Sequence, residues 1–243
     1  TSACPHPAWC DDEAGRVETA GCGSSCPQCR LKARYADPVP LDQPQPPPLR
    51  RCVAAARYLN APIRYEEVAP LAPGQSERFA PLNPNLRVPI LQLDDGSTLW
   101  ECDAIVCKLA RLAGRPEFFP DGEQLPELIR WLSWTAKHWG RATSAFYFQH
   151  IVVPRYRLPV VPEAEMQGYA REVARLAPIL DAHLAGRTWM LGGDAPTYAD
   201  FRVGDIFPFE QDAKLDFSAF PNIRRLSAQL ARLPHWCAPF EGL

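Results

Sequence analysis

The chain has 243 residues, 47% of them hydrophobic, and a formal net charge of −2, which is enough to bury a sizeable core in one or two domains. This balance excludes a disordered tail protein, and arginines scattered among as many carboxylates exclude a broadly basic nucleic-acid binder. No apolar run approaches the roughly 20 residues that span a bilayer. The chain opens on Thr1 rather than methionine, which leads to the expectation of a processed chain whose targeting peptide has gone.

Residues 1–30 carry five of the nine cysteines and few large apolar groups, so they form a Cys-rich extension without a core of its own. Cys26-Pro-Gln-Cys29 is a CxxC pair that can hold one edge of a tetrahedral zinc site. Cys22 and Cys10 complete the set, with Cys4 and His6 as alternatives. Disulfides are the competing reading and suit an oxidising compartment or an intermembrane space. A redox-active CxxC is weakened by the loop-like segment that precedes Cys26. The other four, Cys52, Cys102, Cys107 and Cys237, read as small buried hydrophobes.

Leu31–Tyr35 is short enough for a first strand, and residues 36–48 form a proline-rich insertion, extended and suited to docking against partner chains. Leu49, Cys52, Val53, Ala56 and Leu59 recur at helical spacing, and Asn60-Ala-Pro ends that helix. Ile63, Tyr65 and Val68 suggest a second strand, and residues 74–82 a short second helix. Next comes an apolar run with a Val88-Pro89 step. Asp95-Gly96 then joins Leu91–Leu93 to Thr98–Trp100 as a hairpin. Glu101-Cys102-Asp103 opens a helix with Ile105, Leu109 and Leu112 on one face, and Gly114 stands where a C-terminal glycine belongs. The domain is therefore expected over 31–113.

A linker over 114–124 leads into an all-α domain over 125–243. Leu128, Trp131, Leu132, Trp134 and Thr135 give one apolar stripe, continuing toward Phe146 and Phe148. Glu163–Leu184 gives a second helix, with Tyr169, Val173, Leu176, Ile179, Leu180 and Leu184 on one face and Pro178 expected to kink or split it. Thr197-Tyr-Ala-Asp200 has capping-box spacing ahead of Phe201, Val203 and Ile206. Phe220–Leu233 reads as a last amphipathic helix.

The order strand, helix, strand, helix, hairpin, helix, with Val88-Pro89 before the third strand and Glu101 at the third helix, resembles the glutathione transferase family. The resemblance covers roughly residues 49–233 and implies a thioredoxin-like α/β domain followed by an all-α helical bundle. It implies a cis proline at Pro89, with the backbone of Val88 turned toward the cysteinyl part of glutathione. Glu101 would hold the γ-glutamyl end, assisted by Cys102 where the family has serine, a weaker hydrogen-bonding group. Arg50 or Arg51 would face the glycyl carboxylate. An electrophile pocket would lie near Trp131, Trp134 and His138, with His138 on the polar helix face.

The family activates the glutathione sulfur with a Tyr or Ser hydroxyl or a Cys thiol just before the first helix. Here those positions are Pro44-Gln-Pro-Pro-Pro48. Tyr35, as a strand-end hydroxyl, and Cys52, in the first helical turn beside two arginines, are the candidates for the missing group, each with a plain structural reading beside it. The resulting expectation is a transferase-fold protein degenerate in catalysis, acting as a structural or binding subunit in a larger assembly of protein chains. Mitochondrial placement is the first expectation and cytoplasmic the alternative. The competing function is an active glutathione transferase or thiol-disulfide reductase, and glutathione and zinc are the two possible bound groups.

Overall fold

The structure, a computed structural model, describes residues 29–32, 46–68 and 72–243. Helix α1 (Pro47–Tyr58) begins two residues before Leu49, the start that apolar spacing suggests. Proline in a first helical turn has no intrahelical N–H to lose, and its φ is already helical. Pro46 takes the N-cap, and its carbonyl accepts from the Arg50 N–H at 3.0 Å. From Leu49 to Ala56 every residue of α1 is buried, a wider surface than one apolar stripe.

Four strands lie in the order β2-β1-β3-β4. Strand β1 (Cys29–Lys32) runs parallel to β2 (Ile63–Glu66) and antiparallel to β3 (Ile90–Gln92), which pairs antiparallel with β4 (Thr98–Trp100). Leu31 stands opposite Tyr65 on one side and Leu91 on the other. The first strand thus starts two residues upstream of Leu31, and Cys29 opens it. Tyr35, Cys4, His6, Cys10, Cys22 and Cys26 lie outside the described residues, as does the Cys29 side chain.

Helix α2 (Ser76–Phe79) is a single turn that plants Phe79 against Val68 and Ile90 under the sheet. The hairpin turn holds three residues, not two. Leu93 N–H donates to Ser97 O at 2.9 Å, and Gly96 takes φ 83°, the left-handed conformation that glycine adopts freely. Helix α3 (Cys102–Leu112) follows and packs on α1, and Gly114 (φ 65°) closes it as expected.

The helical half opens with a run of helix uninterrupted from residue 125 to residue 156. It comprises α4 (Leu125–Trp134), a π-helical turn (Thr135–Trp139), α5 (Gly140–Tyr147), a second π-helical turn (Phe148–Val152) and α6 (Val153–Tyr156). Gly140 is required by the first wide turn, since a Cβ there would meet the Thr135 carbonyl oxygen at 2.8 Å. Helix α7 (Glu163–Leu184) is one helix despite Pro178. An interior proline costs on the order of 3 kcal/mol, less than the burial of Leu176, Ala177, Leu180 and Leu184 on either side of it can return. Ile179, expected on that face, is 44% exposed.

Helix α8 (Tyr198–Val203) starts with the expected capping box. Asp200 accepts from Thr197 N–H at 2.8 Å, Thr197 Oγ1 at 3.0 Å and Met190 N–H at 2.7 Å. A 3₁₀ turn (Gly204–Phe209) and α9 (Pro221–Ala231) follow. The two halves share one buried cluster. Phe118 meets Phe201 edge-on at 5.0 Å, and Phe201 meets Trp236 at 5.0 Å. Among the described residues no helix is long and apolar enough to cross a membrane.

Candidate functional site

A cleft of about 460 Å³ opens between the α/β half and the α5–α6 run. Its α/β wall is built from three places that the topology brings together: the start of α1, the step into β3 and the start of α3. Pro46, Pro47 and Pro48 form the first. At the second, the buried Asn83 shapes the approach, its Nδ2 donating to Arg87 O at 2.9 Å and its Oδ1 accepting from Asn85 N–H at 3.0 Å. The chain then enters β3 through a cis Val88-Pro89 bond.

At the third place Glu101 adopts φ 70° and ψ 121°, a conformation that strains a residue carrying a Cβ. It is the N-cap of α3, with an exposed side chain beside the cleft. Carboxylates at this end of a helix face its positive pole, and an exposed one is available to a cationic ligand group. Cys102 follows as the first helical residue, only 8% exposed, with Sγ donating to Pro48 O at 3.3 Å. Behind it lies Cys52, fully buried and one helical turn after Pro48 in α1. The neighbouring Cys102 thiol and burial push the Cys52 thiol well up, while the neighbouring Cys52 holds Cys102 below its ordinary value.

The opposite wall comes from the helical half: Ser144, Tyr147, Phe148, Ile151 and Val152, with Arg155 and Tyr156 below them. The second π-helical turn falls in this wall, and wide turns of this kind are frequent at functional sites. Arg155 stacks over the Tyr156 ring at 5.4 Å. Arg87 is exposed on the facing side. Two guanidinium groups and one carboxylate therefore border the cleft, a set suited to a ligand with more than one carboxylate and an amine.

Several sequence expectations come together here and others do not. Val88, Pro89, Glu101 and Cys102 all line the cleft. Cys52 does not reach it and sits in the core. Arg50 and Arg51 turn away from it. Arg50 donates to the carbonyls of Trp236 and Cys237, and burial lowers its pKa to about 10. Arg51 pairs with Asp205 and donates to Tyr198 Oη at 2.9 Å. Both follow from α1 being buried on every side, so its arginines must find internal partners.

Trp131, Trp134 and His138, expected near an electrophile pocket, do not line this cleft. Trp131 packs against His183 with ring centroids 4.3 Å apart and the planes tilted, and His138 is exposed. The helical-half residues that line the cleft recur as 144, 147, 148, 151, 152, 155 and 156, a helical period visible in the sequence. Arg87 and Asn83 gave no such signal. Cys237, read as buried, is exposed, and Cys107 is half-buried. Among the described residues no group of three or more His, Cys, Asp or Glu side chains is placed to hold a metal, and the proposed zinc ligands lie outside those residues.

Two family models match the chain: "Glutathione S-transferase, N-terminal domain" over residues 47–112 and "Glutathione S-transferase, C-terminal domain" over residues 142–234. The chain belongs to the glutathione S-transferase family. It is 30% identical over 158 residues to the glutathione S-transferase-like protein tpcF of Aspergillus fumigatus, covering 63% of this chain and 66% of that one. It is 26% identical over 182 residues to elongation factor 1-gamma of Equus caballus, covering 72% of this chain and 40% of that one. The chain therefore spans about two thirds of the first relative's length and well under half of the second's. Among solved structures, the theta class glutathione S-transferase of Xanthomonas axonopodis pv. citri with glutathione bound superposes with a TM-score of 0.68 at 20% identity. That match covers 87% of this chain and 96% of that one.

Proposed function

We propose that this protein binds glutathione, or a closely related γ-glutamyl thiol, in the interdomain cleft and does not activate its sulfur for conjugation. It would serve as a binding or structural subunit of a larger assembly. The observation that carries this reading is the proline wall. Pro46, Pro47 and Pro48 border the cleft at the start of α1, where a transferase needs a hydroxyl or thiol. Proline side chains donate no hydrogen bond, and prolines remove backbone donors as well. In this reading the Val88 backbone pairs with the cysteinyl unit, Glu101 takes the γ-glutamyl ammonium, and Arg87 or Arg155 faces the glycyl carboxylate.

The subunit role is supported by similarity to a protein named as an elongation factor, over 72% of this chain. A proline-rich segment of docking composition, residues 36–48, points the same way. A mitochondrial assembly is the setting this reading favours, on the composition of the Cys-rich extension.

A second reading, a working glutathione-dependent enzyme, is favoured by the hydroxyls of Ser144 and Tyr156 on the far wall. Titration with glutathione separates the two, following heat of binding and thiolate absorbance together. Binding without a thiolate signal is the expected result. A thiolate signal that disappears in Tyr156→Phe or Tyr35→Phe, with turnover of a model electrophile by the free chain, would overturn it.

A further inference from the structure

The Cys52–Cys102 pair is a nucleophilic group that the binding role above does not use. The two thiols come from different elements, α1 and α3, and meet where those helices pack. Both are free thiols, and Cys102 Sγ lies 3.3 Å from the carbonyl oxygen of Pro48, one helical turn before Cys52 in α1. Their exposures differ in a useful way: Cys102 borders the cleft at 8%, whereas Cys52 lies directly behind it at 0%. A small molecule in the cleft can reach only the first.

We propose that Cys102 is an exchange thiol for small disulfides that enter the cleft, glutathione disulfide foremost, and that Cys52 is its resolving partner. The choice of glutathione disulfide rests on the binding role proposed above; the exchange itself does not.

The surroundings of Cys102 favour its thiolate. It is the first residue of an 11-residue helix, where the positive helix pole falls. The neighbouring Cys52 thiol favours it, and the guanidinium groups of Arg51 and Arg202 act in the same direction. Burial and Asp103 act against them. Arg51 and Arg202 are themselves paired with Asp205 and Asp103, so the charges beneath the thiol are fixed in place.

The chemistry balances with the disulfide as oxidant. The Cys102 thiolate attacks one sulfur of R–S–S–R, the S–S bond breaks, and one R–S⁻ departs and takes up the proton that Cys102 gave up. A mixed disulfide now joins Cys102 to R. Cys52 then attacks the Cys102 sulfur and expels the second R–S⁻, which receives the Cys52 proton. Two electrons have passed from the protein dithiol to the small disulfide, leaving a Cys52–Cys102 disulfide and two free thiols. Cys102 exchanges first because it alone meets the cleft.

The test uses the full chain, reduced, freed of reductant and exposed either to glutathione disulfide or to bis(2-hydroxyethyl) disulfide. Intact mass and peptide mapping then follow each cysteine. With glutathione disulfide the parent chain is expected to gain a Cys52–Cys102 disulfide and keep no adduct at either residue. Cys52→Ala is expected to keep one glutathionyl group on Cys102, and Cys102→Ser to show neither product at Cys52. Circular dichroism confirms that each variant is folded, and exposed Cys237 reports non-selective labelling.

Absence of any adduct on Cys102 in folded Cys52→Ala with both disulfides overturns the proposal. So does labelling of Cys102 no faster than that of Cys237. Labelling by the hydroxyethyl compound alone supports the exchange and counts against glutathione as the ligand. Heat of binding of reduced glutathione to Cys102→Ser, measured in parallel, tests the binding role on its own.

Discussion

The Arg51 guanidinium of α1 is paired with the Asp205 carboxylate across the junction of the two halves, with side chains 3% and 8% exposed. Arg202 reaches the same carboxylate at 3.3 Å, and Asp103 at the start of α3 faces both arginines. Tyr198 completes the network, accepting from Arg51 Nε at 2.9 Å and donating to Asp103 Oδ1 at 2.7 Å. This buried group of charges links α1, α3 and α8 and lies immediately below the cleft thiol.

Removing Arg51 leaves the buried Asp205 carboxylate short of a cation, and breaking such a pair costs about 3–5 kcal/mol. Arg51→Met is expected to lose stability of that order in urea denaturation, with Arg51→Lys intermediate. A loss below about 1 kcal/mol would show that Arg202 alone satisfies Asp205.

Asp200 carries a pH dependence of a definite sign. Burial pushes its carboxyl up to about 6 from 3.8, against the hydrogen bonds from Met190 and Thr197. The folded pKa lies above the unfolded value, so its stability contribution is complete below pH 3.8 and lost as pH rises through about 6. The shift corresponds to about 3 kcal/mol. The stability of the parent chain relative to Asp200→Asn is therefore expected to fall between pH 4 and pH 6.5, in about that amount. Denaturant midpoints of the two proteins at matched pH check it, and a constant difference across the window would refute the shift.

Glu101 pairs strain with the binding role proposed for it. Its φ of 70° is unfavourable for any residue with a Cβ, at a cost of about 1–3 kcal/mol that glycine largely avoids. Glu101→Gly is expected to raise thermal stability while weakening glutathione binding at least about tenfold, as loss of a charge-assisted hydrogen bond requires. Calorimetry of melting and of binding on the same sample reads both. Unchanged affinity would remove Glu101 from the site.

Gly140 has no room for a methyl group, since the Thr135 carbonyl lies 2.8 Å from the position of its Cβ. Gly140→Ala must therefore move backbone and is expected to cost about 1–3 kcal/mol. The fully buried Thr135 and Trp139 flank the displaced turn, so Trp fluorescence should change with it. A neutral substitution would mean that the π-helical turn relaxes to α geometry without loss.

The sequence by itself determined the order of elements, because each was written in local physics. Asp95-Gly96 marks a turn through backbone freedom at glycine, and Thr197-x-x-Asp200 is a cap through reciprocal short-range hydrogen bonds. The Leu176–Leu184 face is a period that only a helix satisfies. It also placed Val88, Pro89, Glu101 and Cys102 as one group, because the resemblance carried their spatial meaning. Only the tertiary structure decided what the arginines of α1 do, which residues form the far wall, and that Cys52 stands behind Cys102. Those facts depend on contacts between residues 50 to 187 positions apart in the chain. A burial environment is a property of everything packed around a side chain, and no local pattern encodes it.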